Sequence, residues 1–241
     1  MTGENHLLVF VHLNGNWTQC GRLMMTERTD GQVSSTFQYD EAYQAPSNRV
    51  ELDPVSLSFS EELLTLGKLR VPKNDLPLFG AFRDSTPDAF GRRVIERKLG
   101  ARLNGLKEVE YLLFAGPHRA GALDFRPESA PQPPEEIDDS VDLEALSEAA
   151  ARIDGDLPVP PELQAIFCQG AGLGGARPKA SVRDERGGLW MAKFPTSNDR
   201  FDVSGVECAT LTLAAKTGIH VPPVKTVVSR RPASHVIAAL G

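Results

Sequence analysis

The chain has 241 residues, 41% of them hydrophobic, which is enough to bury one large core or two smaller ones and lies outside the disordered and fibrous classes. A formal charge of −6 excludes a protein that grips a nucleic-acid backbone through a broad Lys/Arg surface, so no direct nucleic-acid binding is expected. Cys20, Cys168 and Cys208 are too far apart for a disulfide framework or a CxxC metal knuckle, and no apolar run reaches the roughly 18 residues of a membrane span; both point to a reducing cytoplasm without membrane contact.

In chain order, residues 7 to 60 break into short strand-like runs, "LLVFVHL", "VSSTFQYD" and "VSLSFS", separated by Gly, Asn, Asp and Pro, as in a small antiparallel sheet. "STPDAFGRRVIERKLG" predicts a helix with Thr86 as N-cap, Pro87 at the first helical position, Asp88 in the first turn and Gly100 at the stop. Its buried stripe is expected to be Phe90, Val94, Ile95 and Leu99. Asp84, Asp88, Arg92 and Arg93 read as a charged helix face with dipole-favoured ends. "LKEVEYLLFAG" predicts a second helix, and "GALDFRP" a strand that closes a first unit over 1–126. Proline and acid dominate Pro127 to Ser140, so 127–162 reads as a linker holding one helix, "DLEALSEAAARI".

The remainder, 163–241, is predicted to hold a hairpin of "KASVRD" and "LWMAKFP", a helix in "SGVECATLTLAAKTG" stopped at Gly218, and a second hairpin of "PVKTVVS" and "SHVIAAL". Ahead of it, "QGAGLGGARPKAS" places Gly170, Gly172, Gly174 and Gly175 within six positions. A dinucleotide fingerprint requires a helix after its glycines, whereas Pro178 and a hairpin follow here. A P-loop requires lysine where Ala176 stands. The pattern that fits is a glycine-rich loop feeding a hairpin, a lysine inside a strand, then a helix carrying a glutamate, the logic of a protein-kinase small lobe. Lys193 follows Gly175 by 18 residues among apolar neighbours, and Glu207 lies early in the next helix. Simpler readings stand beside this one: Lys193 on the polar face of an edge strand, Glu207 as the acid of a capping box begun by Ser204, and Lys179 as a solvated turn residue. The five histidines show no metal-ligand spacing.

The segment "GLGGARPKASV…MAKFP…GVECATLTLAAKTGIHVPP", together with "FQYDEAY", "RDSTPDAFGRRVIERKLG" and "GALDFRP", resembles the HipA family of bacterial serine/threonine kinase toxins. The resemblance implies an α+β fold, a kinase-like small lobe preceded by a mixed β/α HipA-type N-terminal subdomain. It also implies an ATP site in which Gly174, Gly175, Ala176, Arg177, Pro178 and Lys179 cover the phosphates, Lys193 contacts them and Glu207 orients Lys193. The implied partners are a HipB-like helix-turn-helix antitoxin and a protein substrate such as an aminoacyl-tRNA synthetase. Two departures stand out. Gly172, after Ala171, occupies the place of the family's regulatory loop serine, and no HxD-type catalytic loop or DFG-type metal-binding aspartate follows Lys193. The expectation is therefore of a catalytically incomplete N-terminal part, with the Mg²⁺ ligands in a missing lobe; a non-catalytic module docking on an antitoxin or a companion kinase chain is the alternative, and an unrelated β-rich domain with a purely structural glycine loop is a third.

Overall fold

The computed structural model describes residues 3–45, 49–59, 69–116, 119, 121–132, 142–184, 186–228 and 234–239. The chain divides into two compact units, Met1–Thr86 with Leu106–Glu136, and Pro87–Gly105 with Ile137–Gly241. Both are mixtures of antiparallel strands and helices, the α+β class expected from the sequence.

In the first unit β1 (Gly3–Leu13), β2 (Asn16–Glu27), β3 (Val33–Tyr39) and β4 (Leu123–Pro127) form one sheet in the order β3-β2-β1-β4. All neighbours run antiparallel. Leu7, Val9 and Val11 recur at the strand period of two and enter the core with Leu23, Met25, Phe37 and Phe125. Phe37 lies edge-on to Tyr39, Phe79 and Phe82, a geometry that aligns ring edges with ring faces. The rings of Phe79 and Phe82 come from the N-cap and interior of the short helix α1 (Gly80–Asp84). A second helix of this unit, α3 (Glu108–Phe114), adds Val109 and Leu112 to the same core, as its periodicity predicts.

Two sequence expectations fail here for local reasons. The run "VSLSFS" is not a strand over residues 55–59, because the Asp53 carboxylate accepts the N–H groups of Val55 (2.8 Å) and Ser56 (3.2 Å) and folds the chain into a turn; Ser60 lies outside the described residues. Conversely β2 forms from "NWTQCGRLMMTE", whose mixed polar pattern gave no strand signal, because pairing with β1 and β3 on both edges satisfies its backbone.

The second unit opens with α2 (Ala89–Leu99), which packs against α4 (Leu143–Asp154) and α5 (Ile166–Gln169). Phe90, Val94 and Ile95 are fully buried as predicted, but Leu99, at the last turn, is 38% exposed. The helix starts later than its capping signals suggest: Asp88, not Thr86, is the N-cap. Thr86 instead donates its hydroxyl to the Arg83 carbonyl (2.6 Å). Arg93 bonds Asp154 at 3.0 Å and Arg97 pairs with Asp156, tying α2 to the end of α4. Helix α4 begins at Asp142, whose side chain accepts from the Glu144 N–H. Of the stretch 127–162 read as a linker, residues 133–141 lie outside the described residues, and the helix expected within it is α4.

A second antiparallel sheet completes this unit in the order β5-β6-β8-β7, built from β5 (Lys179–Arg183), β6 (Leu189–Lys193), β7 (Val224–Val228) and β8 (Ser234–Ala239). Both predicted hairpin pairs are present in sequence. The β5–β6 turn is held by the Asp184 carboxylate, which accepts the N–H of Gly188 (2.8 Å), the N–H of Arg186 (2.9 Å) and the Trp190 indole N–H (2.9 Å). Helix α6 (Val203–Lys216) crosses between the hairpins and packs on β7 and β8.

One buried charge pair stabilises the first unit. Arg119 and Asp124 are each 1% exposed at 2.8 Å, and Arg119 also donates to the carbonyls of Leu112 and Gly116. Burial pulls the guanidinium pKa down and the Asp124 carboxylate pulls it back up. Truncating the cation strands a buried carboxylate, so Arg119→Met is expected to cost about 3 kcal/mol in denaturant unfolding; a loss below about 1 kcal/mol would show that Arg126, also on Asp124 at 2.6 Å, suffices.

Candidate functional site

The glycine run leaves α5 at Gly170 and enters β5 at Lys179. At Gly175 φ is +102°, a backbone state that L side chains rarely adopt, and an added Cβ would collide with the Lys179 ammonium. Lys179 donates from Nζ to the Gly174 carbonyl, so the lysine that follows the loop folds back beneath it. The side chain is buried, not solvated in a turn.

Register then brings a second lysine to the same place. In the β5–β6 ladder Lys179 stands directly opposite Lys193, and residues directly opposite in an antiparallel pair project from the same face. The strand β6 lies between β5 and β8, so Lys193 is on an interior strand and not an edge. Its ammonium pairs with the Glu207 carboxylate from α6. The capping-box alternative for Glu207 fails, since α6 starts at Asp202, whose carboxylate accepts the Gly205 N–H at 2.9 Å. Lys179 has its pKa pulled down, first by burial and then by repulsion from Lys193, with Asp88 and Glu207 opposing. Two ammonium groups thus share one face of the sheet, one of them buried.

The remaining loop residues have structural bonds. Arg177 places both terminal nitrogens on Asp199, at 2.8 and 2.6 Å, and Asp199 also accepts the N–H (3.0 Å) and hydroxyl (2.9 Å) of Thr196. This bidentate fork holds the Asp199 carboxyl far below the ordinary carboxylate range. The Pro178 carbonyl accepts the Phe194 N–H at 2.9 Å, and the Ala176 carbonyl faces Arg93 at 3.5 Å. Gly174 sits where a Cβ would lie 3.2 Å from the Asp88 carboxylate.

A model of the HipA N-terminal domain matches residues 11–126, and a model of the HipA-like C-terminal domain matches residues 171–238. The chain belongs to the HipA family. No curated protein matches it. The HipA-like C-terminal match begins at Ala171, inside the glycine run, and spans Lys179, Lys193 and Glu207.

Two acids of this region escaped sequence reasoning. Asp199 lies in the polar turn "TSNDR", where no periodicity marks it, and Asp88, read as a helix-face charge, accepts the Gly175 N–H from 87 positions away. Among the described residues no helix is long and apolar enough to cross a membrane.

The Arg177–Asp199 fork is expected to brace the loop. Asp199→Asn should cost about 1 kcal/mol of stability at neutral pH. Because the folded-state pKa is depressed, the wild-type advantage is full above the ordinary Asp value of 3.8, shrinks as the pH falls below it, and is lost only as the pH approaches the depressed folded-state value. Denaturant melts of both chains at pH 7 and at pH 3 check this; an equal gap at both pH values would contradict it.

Proposed function

We propose that this chain carries the nucleotide-binding lobe of a HipA-type, ATP-dependent serine/threonine kinase toxin of a toxin–antitoxin pair. The carrying observation is the Lys193–Glu207 ion pair on the same sheet face as Lys179 and directly after a glycine loop. A triphosphate suits this donor set: it would relieve the repulsion between the two ammonium groups, and the loop supplies backbone N–H groups at a point where only glycine fits.

Bound ATP supplies the transferable phosphoryl group. The residues of this chain hold it. Lys193, paired with Glu207, would offer one ammonium to the phosphates, and Lys179 would offer a second beneath the loop. Gly174, Gly175 and Ala176 would cover the phosphates, while Arg177 acts at one remove by anchoring the loop to Asp199. Since phosphoryl transfer rests on positioning and charge neutralisation, the Mg²⁺-binding and proton-accepting carboxylates in this reading belong to a second lobe. Helix α6 supports that arrangement, with Val206 54% and Leu213 62% exposed, apolar side chains that further protein would cover. The proposed partners are a HipB-like helix-turn-helix antitoxin and a protein substrate of the translation apparatus, such as an aminoacyl-tRNA synthetase.

Calorimetric titration with ATP tests the reading. Lys193→Ala should weaken binding by about tenfold or more and Glu207→Gln by several-fold, both with unchanged thermal melts. Wild-type affinity in Lys193→Ala would overturn it.

A further inference from the structure

Asp88 is the N-cap of α2, yet its side chain makes no capping bond to its own helix. Its Oδ2 accepts the N–H of Gly175 instead. The placement is not that of a loose surface acid. The following turn of α2 lies so close to the glycine run that a Cβ on Gly91 would overlap the Ala171 carbonyl, and the far end of the helix is tied down through Arg93 and Arg97. The same carboxylate acts on Lys179, raising the pKa that burial and Lys193 lower. One carboxylate thus satisfies a loop amide and partly neutralises a lysine, the two tasks assigned above to a nucleotide phosphate.

We propose that Asp88 is a built-in competitor for the phosphate, an internal anion that holds the Gly175 N–H and must be displaced before a polyphosphate can take the loop. The proposal rests on the nucleotide-binding reading and deepens it by giving the site a regulated affinity. A carboxylate and a phosphate cannot share one N–H, and their like charges repel, so the penalty scales with phosphate charge and spares the nucleoside. Movement of α2, or a cation that screens Asp88, would release the loop.

The test compares wild type, Asp88→Asn and Asp88→Ala, with Asp84→Asn as a control that removes an exposed aspartate from α1. Amide hydrogen exchange at Gly175 without added nucleotide should be about tenfold faster in Asp88→Ala, since the acceptor is gone. The dissociation constant for ATP should fall roughly three- to tenfold in both Asp88 variants, with adenosine and the control unchanged. Unchanged exchange at Gly175 would overturn the contact itself, whatever the nucleotide result. Faster exchange with unaltered or weaker ATP binding, or equal tightening of adenosine, would overturn the competition while leaving nucleotide binding in place. Absence of ATP binding in all of these chains would sink the nucleotide reading and this proposal together.

Discussion

Two ammonium groups stand opposite each other on neighbouring strands, and the second unit is arranged around that repulsion. Like charges directly across an antiparallel ladder are unfavourable, and Lys179 is also buried, so each cation has to find compensation nearby. Lys193 finds Glu207, delivered by α6; Lys179 finds the Gly174 carbonyl, delivered by a loop that only glycine at positive φ can close over it. The helix, the loop and the strand register are mutually dependent: shifting β5 against β6 by one residue would send one lysine to the other face of the sheet.

The loop is supported from both ends of the sequence. Arg177 fixes its exit to Asp199 in the turn before α6, while Asp88 reaches its centre from the start of α2. That helix lies between residues of the first unit in sequence but packs in the second, so the glycine run is braced by a segment some eighty positions earlier. Such bracing gives a flexible stretch a defined shape before any ligand contributes, and it also sets a competing anion at the centre of the loop.

What could be read from the sequence was what is local. The helices α2 and α4 follow their apolar spacing, α6 ends just before its glycine stop, and the β5–β6 hairpin follows its polar, glycine-bearing turn. The lysine, the glutamate and the loop were legible because their spacing reflects consecutive elements of one small sheet. Non-local choices were not legible. The strand β2 depends on partners at both edges, the segment 55–59 gives up strand geometry to the Asp53 side chain, and the start of α2 moves to Asp88. Asp88 and Asp199 carry no sequence mark at all, since an acid in a turn or at a helix start has many ordinary uses, and only the fold shows which amide or guanidinium it meets.

The central claim is that Lys179 and Lys193 face one polyphosphate. A lysine-reactive acyl-phosphate derivative of ATP, which transfers its acyl group to amines lying against the phosphates, tests this most directly when the labelled peptides are identified by mass spectrometry. The account predicts labelling at Lys179 or Lys193, suppressed by excess ATP and not by adenosine. Labelling that spares both lysines, or that excess ATP does not suppress, would contradict it.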